Sequence, residues 1–415
     1  MNPSARSIQR TYLLLMLLQT LAASLIWGIN TLFLLDAGLT NTEAFVANAF
    51  FTAGMVVFEV PTGVVADTRG RRTSYLLGTL TLSVSTLLYL LAWQLSAPMW
   101  AWAIASMLLG LGFTFFSGAV EAWLVDALTF TGFQRAGGKL EAVFAKGEIV
   151  EGAAMLGGSV AGGLIAQATN LGVPYVIRAV VLVVTFVSAF LLMHDTGFTP
   201  HRGKRLGDEV RSVWQGALEH GLGNRRVRWV MLAAPFTGGV SLFAFYAMQP
   251  YLLQLYGDER AYAIAGLAAA VVAAAQIAGG LVVPYFGRVF RSRTSVLLWS
   301  TAISAVMLAV IGILPRFWPV ITLLALWGLM FAALTPVRQS YLNSLIESKE
   351  RATVLSFDSL LGSTGAVGIQ PALGKTADVW GYPVAYLCSA AIQAMAVPFL
   401  WLARRERAPS DAING

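Results

Sequence analysis

Apolar stretches of about 20 residues, each long enough to cross a hydrocarbon core about 30 Å thick as a helix, recur almost end to end from Tyr12 to Ala403. In lipid, a backbone that cannot reach water must satisfy its own N–H and C=O groups, so uninterrupted runs of this kind dictate helices. The spans expected are 12–35, 43–66, 74–95, 98–127, 140–168 and 173–194, then 227–256, 260–287, 294–314, 317–345, 352–378 and 381–403. With 57% hydrophobic and only 12% charged residues, the chain has too little polar surface for a water-soluble fold. The fold class expected is all-α integral membrane, with twelve transmembrane helices.

Lys and Arg set the orientation, because positive residues resist translocation. Most of the 28 fall in one alternating set of loops and tails, among them Arg69, Arg71, Arg72, Arg135, Lys139, Arg225, Arg226, Arg291 and Arg404. This side is expected to be cytoplasmic, with both termini on it and the protein multi-pass in the cell (inner) membrane. The first apolar stretch is too long for a secretory signal and is expected to be the first span. The net charge of +7 then reflects topology, and no soluble basic module points to nucleic acid. The single Cys388 allows no intramolecular disulfide, and no metal or organic cofactor is expected. The absence of a G-x-x-x-x-G-K-[ST] sequence argues against an ATP-driven pump. No nucleophile–base pair or metal-ligand cluster suggests an enzyme.

The polar interval from His194 to Arg228 separates six spans from six. It divides the chain into 1–194, a cytoplasmic linker 195–226, and 227–415. The halves echo each other: Arg72-Thr73-Ser74 enters the third span and Arg293-Thr294-Ser295 the ninth. Gly157, Ala161 and Gly163 of the fifth span match Gly368, Ala372 and Gly374 of the eleventh at one constant offset. Two pseudo-symmetric six-helix bundles related along the membrane normal would hold a cavity between them near the midplane and work by rocking.

Between the second and third spans stands Gly63-Val64-Val65-Ala66-Asp67-Thr68-Arg69-Gly70-Arg71-Arg72. Asp67 ends a helix, Gly70 permits a sharp turn, and Arg71 is able to reach a carboxylate, with Asp126 at the end of the fourth span the expected partner. The stretch resembles the major facilitator signature G-x-x-x-D-[RK]-x-G-[RK]-[RK], with Thr68 in place of a basic residue. That resemblance implies gating by Gly63, Asp67, Gly70, Arg71, Arg72 and Asp126. In the family the aspartate faces the N-terminus of the eleventh span, here near Arg351 and Ala352, and helps close the inner side. The alternative is that these charges fix topology and solvate a loop.

In the fifth span, Gly157-Gly158-Ser159-Val160-Ala161-Gly162-Gly163 resembles the G-P-x-x-G-G motif of drug–proton antiporters, with Ser159 where proline is usual. Gly158, Ser159, Gly162 and Gly163 would allow close helix packing, which any facilitator also needs. With the lead-in Glu59-Val60-Pro61-Thr62-Gly63, the whole chain looks like a bacterial drug–proton antiporter of the major facilitator superfamily. The major facilitator fold and a monomer are what that resemblance implies.

Four intramembrane carboxylates are candidates for proton coupling, since each is costly in lipid. Glu59 lies eight residues before Asp67 and Glu121 five before Asp126, roughly 12 and 8 Å deeper than those ends. Glu148 and Glu151, three apart, share a helical face and are suited to sharing a proton. Permanent structural hydrogen bonds, or snorkelling to water, would be their other use. Glu121 and Arg338 occupy equivalent places in the fourth and tenth spans and are candidates to face each other across the cavity, unless Arg338 snorkels to the surface. Trp27, Asn30, Tyr246, Gln249 and Arg338 are the substrate-contact candidates. The function expected is proton-gradient-driven efflux of amphipathic small molecules or drugs by alternating access, with protons, that substrate and membrane lipids as partners. A lipid or metabolite carrier, or more remotely a non-transporting receptor or scaffold, stays open.

Overall fold

The computed structural model describes residues 4–200, 221–285, 289–347, 351–408 and 411–413; most of the linker therefore lies outside the described residues. Among the described residues the regular structure is helical, with one isolated bridge between Ser292 and Ala412. Spans one to six are Ala5–Trp27 continued by Asn30–Asp36, Asn41–Arg69, Arg71–Gln94, Met99–Phe116 continued by Ala119–Phe130, Leu140–Ala168 and Gly172–Leu192. Spans seven to ten are Arg225–Tyr256, Tyr262–Val282, Arg293–Ile313 and Phe317–Leu345.

The last apolar stretch, Val354–Arg405, runs for 52 residues. At 1.5 Å per residue it would be about twice a bilayer long, so it must turn. It does so at Gly381, whose φ of 81° and ψ of 168° break the helix and divide span eleven from span twelve. Among the described residues eleven helices are long and apolar enough to cross a membrane, and with the turn at Gly381 they make the twelve crossings expected.

Two spans are broken where the sequence suggested one helix. Span one is interrupted at Gly28 and Ile29, and span four at Ser117 and Gly118, the latter with φ of 66°. Each break frees backbone groups that need partners inside the membrane. Those of span one find partners in the site described below.

Spans one to six pack among themselves, as do seven to twelve; between the halves, span two meets eleven, span five meets eight, and the end of span one meets seven. The core shows where the halves join. Near the end opposite the basic loops, one apolar cluster joins Phe45 to Phe243, Tyr251 and Tyr386, and another joins Phe33, Tyr89 and Trp102 to Leu253 and Ala265. At the basic end the clusters separate: Tyr12, Tyr75, Trp123 and Val143 belong to one half only, and Val227, Tyr341, Val354 and Leu400 to the other. The two bundles share a core at one end and have independent cores at the other.

Candidate transport site

Glu121 opens the helical segment that follows the break in span four, three residues past Gly118, where the positive end of the helix dipole favours a carboxylate. Its Oε2 is buried and has no hydrogen-bond partner. Glu148 and Glu151 of span five lie within electrostatic reach of it, and the Tyr12 phenol of span one interacts with all three; Tyr75 of span three also feels Glu121. A Cβ at Gly147 would stand 2.5 Å from the Tyr12 hydroxyl, so glycine there lets span one approach the carboxylates. Spacing along span five paired Glu148 with Glu151; the fold adds Glu121 from another helix. Glu59 stands apart from them. It is exposed, and its Oε1 accepts a 2.9 Å hydrogen bond from Ser117 Oγ at the break in span four.

The signature turn departs from expectation in its pairing. Arg71 Nη1 lies 2.7 Å from Asp67 Oδ1, across the Gly70 turn, whereas Asp126 belongs to the surrounding charge cluster without an ion pair to Arg71. The reason is local: Gly70, at φ 106°, folds the start of span three back on the end of span two, so the carboxylate four residues earlier is nearest. Asp195, which follows span six, accepts the Arg72 backbone N–H at 2.9 Å and packs on Gly70, supplying the N-terminal cap that glycine lacks. Arg72 in turn donates to the Phe190 carbonyl at 2.7 Å. The other half repeats the device: Asp411, after span twelve, accepts the Thr294 N–H at 2.8 Å at the start of span nine. Neither aspartate stood out in the sequence, although the echo of Arg72-Thr73-Ser74 in Arg293-Thr294-Ser295 marked both helix starts.

Asp67 is half exposed and makes no ion pair with span eleven among the described residues. Arg351, at the head of that span, donates instead to the Asn343 carbonyl of span ten at 3.0 Å; the side chain of Ala352 lies outside the described residues. A Cβ on Gly63 would meet nothing within 4 Å, nor would one on Gly368. Among the described residues the signature is therefore not ion-paired to span eleven at the basic end.

The span-five glycines are packing surfaces. Methyl groups at Gly158 and Gly162 would collide with Ser24 and with the Leu25 carbonyl of span one. One at Gly163 would stand 2.8 Å from the Tyr262 carbonyl and 2.9 Å from Gly266 Cα of span eight, in the other half. Ser159 is buried, and its carbonyl lies against Gly266.

Of the substrate-contact candidates, Asn30 and Gln249 are taken up at the closed end. Gln249 Oε1 accepts the Thr31 N–H at 2.9 Å, and its Nε2 donates to the Trp27 carbonyl at 2.9 Å, so this span-seven side chain satisfies the break in span one. Asn30 donates to Asn48 and accepts from Tyr175, both within its own half. Span eleven contributes the second cross-half tie. Asp378 accepts the Asn41 N–H at 2.9 Å and the Thr42 N–H at 2.8 Å at the start of span two.

Trp27 and Tyr246, by contrast, line a cavity of about 390 Å³ at the join of the halves, with Phe245, Trp327, Phe331 and Gln276. Trp27 stacks on Phe245, ring centroids 4.3 Å apart. Arg338 does not face Glu121. Its Nε is 3.1 Å from Asp358 Oδ2, its Nη2 contacts Asp358 Oδ1 and donates to the Val230 carbonyl at 3.1 Å, so a carboxylate of its own half takes the charge. A further intramembrane charge passed unnoticed in the sequence: Arg178 of span six is buried, donating to Thr86 Oγ1 at 3.0 Å and to the Ala22 carbonyl at 3.2 Å.

Comparison with known proteins agrees with this architecture. The family model described as Major Facilitator Superfamily matches residues 12–291 and 260–415. The fold is similar to the crystal structure of the nucleoside transporter NupG, with TM-score 0.77 and 11% identity over 95% of this chain and 98% of that one. It is also similar to a bacterial homologue of the human lysosomal transporter Spinster in an inward-facing, unoccupied conformation, with TM-score 0.74 and 13% identity over 100% of both chains. The POT family transporter PepTSo gives TM-score 0.72 and 15% identity over 97% of this chain and 98% of that one. No curated protein matches the sequence. These likenesses, all below 25% identity, concern the fold; the family match covers most of the chain and makes it a transporter and not an enzyme. With its twelve helices in two six-helix bundles, the chain belongs to the major facilitator superfamily.

Proposed function

We propose that this protein is a proton-coupled secondary transporter that exports amphipathic small molecules across the inner membrane by alternating access. The observation that carries the proposal is the cluster of Glu121, Glu148 and Glu151 around Tyr12, with one Glu121 oxygen buried and unpartnered. A carboxylate without a partner inside a span is costly as a charge, which makes this cluster the place for a coupled proton. The groups facing the cluster are Tyr12 from span one, Tyr75 from span three and the glutamates themselves; Lys146, the cation near the cluster in span five, is exposed.

The aromatic cavity of Trp27, Phe245, Tyr246 and Trp327 is suited to the apolar body of a substrate. Proton site and substrate cavity then lie in different places, and the rocking of one bundle on the other links them. The basic end faces the cytoplasm, and both termini lie on that side. On that orientation the arrangement fits an inward-open state: Gln249 and Asp378 tie the outer ends, and Asp67 makes no ion pair with span eleven among the described residues. The functional unit is a monomer in contact with membrane lipid.

The test is reconstitution in liposomes containing a pH-sensitive dye, with an imposed proton gradient and a panel of amphipathic compounds. Substrate-driven proton movement that disappears in Glu121→Gln is the expected result. Proton movement with full activity in Glu121→Gln, Glu148→Gln and Glu151→Gln would overturn the assignment of the cluster, and no movement with any compound would overturn proton-coupled export.

A further inference from the structure

The basic end of the C-terminal half carries a basin of about 480 Å³ that transport does not use. Four arginines line it: Arg291, just before span nine, and Arg404, Arg405 and Arg407, at and beyond the end of span twelve. Trp401, one turn deeper in span twelve, lines it as well.

Residues beyond span twelve build one wall. The helix ends at Arg405, and the backbone turns at Arg407, whose φ is 45°. Residues 411–413 lie on the start of span nine, where Ala412 bridges to Ser292 and the Ile413 N–H donates to the Arg291 carbonyl at 3.3 Å. This contact holds the arginine that precedes span nine beside those that end span twelve.

The positive charge in the basin is largely uncompensated. Among the described residues the four guanidinium groups make no hydrogen bond or ion pair; Arg405 has an aromatic neighbour, its Cζ 3.9 Å from the Trp401 ring centre. Two carboxylates stand nearby in sequence, and both are engaged elsewhere. Asp411, which lines the basin, is buried and gives its oxygens to the N–H and hydroxyl of Thr294. Glu406 accepts from Trp229 Nε1 at 3.3 Å and lies 3.8 Å from Arg225 Nε. Four positive charges thus line the basin with one negative charge, a balance that an anion improves.

The surroundings narrow the choice of anion. Guanidinium forks match the paired oxygens of a phosphate. On span twelve, Met395, Pro398 and Trp401 are exposed at three-residue spacing and form an apolar track that ends at Arg405. Exposed apolar side chains on a membrane-spanning helix suit acyl chains, and an indole at the head of such a track suits the membrane interface. A head that also carried a cation would set that cation among the arginines.

We propose that this basin binds the phosphodiester head of an anionic phospholipid, whose acyl chains lie along the apolar track of span twelve. Free phosphate shares the head chemistry but has nothing to lay on the track. The site depends neither on proton coupling nor on the direction of transport.

Binding of dioleoylphosphatidylglycerol and dioleoylphosphatidylcholine to the purified full-length protein in detergent is followed by native mass spectrometry. The first phosphatidylglycerol binds at least about tenfold more tightly than the first phosphatidylcholine, and Arg291→Gln with Arg404→Gln removes that preference while the unfolding temperature is retained. Arg404→Gln with Arg407→Gln serves if the first pair does not fold. Arg135→Gln with Lys139→Gln, the same loss of charge at exposed positions of the other half, leaves the preference intact. Equal binding of the two lipids, a preference that survives in the folded basin variant, or an equal loss in the Arg135 and Lys139 variant overturns the proposal. Displacement of phosphatidylglycerol by an equal concentration of inorganic phosphate also overturns it, since the site would then take free phosphate.

Discussion

At the scale of single residues, the span-five glycines show how a motif known for transport is first a matter of contact distance. Gly162 has the Leu25 carbonyl where a methyl group would go, while Gly157, on the same helix, faces open space. Gly162→Ala should therefore lower stability by about 1–3 kcal/mol, the usual cost of forcing extra volume into a packed contact, and Gly157→Ala should be close to neutral. Thermal unfolding of the two variants in detergent checks this; equal unfolding temperatures would mean that spans one and five do not touch there. Residue identity in the sequence allowed close packing to be expected at these glycines, but not which neighbour each one faces. Gln249 is the sharper case. It was a plausible substrate contact as a polar residue in an apolar span, and it turns out to serve backbone groups at a break in span one that no residue pattern announced.

At the scale of elements, helix starts carry most of the unforeseen polar chemistry. Asp195 caps span three, Asp411 caps span nine, and Asp378 reaches across the halves to cap span two. All three lie at or beyond the end of a long apolar helix, where an acidic residue looks like an ordinary loop residue, and each acts on a helix far away in sequence. A cap of this kind contributes about 1 kcal/mol, and only the Asp378 cap spans the two bundles. Asp378→Ala should accordingly shift the conformational balance toward opening at that end by about fivefold, whereas Asp195→Ala, whose contacts stay within one half, should lower stability without that shift. Spin labels at Glu43→Cys and Val379→Cys, in a Cys388→Ser background, report the separation of spans two and eleven there. An unchanged distance distribution in Asp378→Ala would remove it from the gate.

At the scale of the whole molecule, nearly all of the fold was legible, because in a membrane each crossing must satisfy its own backbone and so writes itself as an apolar run about 20 residues long. A break between spans eleven and twelve was expected at 379–380 for the same reason of length, and it falls at Gly381. The site was legible only in part. Glu121 was nominated singly and Glu148 with Glu151 as a pair because carboxylates in lipid are costly, yet their meeting around Tyr12 depends on how spans one, four and five pack. Arg338 and Asp358 likewise found each other within one half, where the internal repeat had suggested a partner across the cavity.

The arrangement of cores ties these scales together. Shared apolar clusters at one end and separate ones at the other leave the bundles free to rock about their joined ends, and protons on the N-terminal carboxylates would bias that motion. The most direct measurement is the distance between spin labels at Glu141→Cys and Leu281→Cys, on the basic ends of spans five and eight, in the Cys388→Ser background as pH is varied. The account predicts that the distance distribution shifts between acid and alkaline conditions and that Glu121→Gln, combined with Glu148→Gln and Glu151→Gln, abolishes the shift. A distribution that ignores pH, or a shift that persists in the triple variant, would contradict the coupling of this cluster to alternating access.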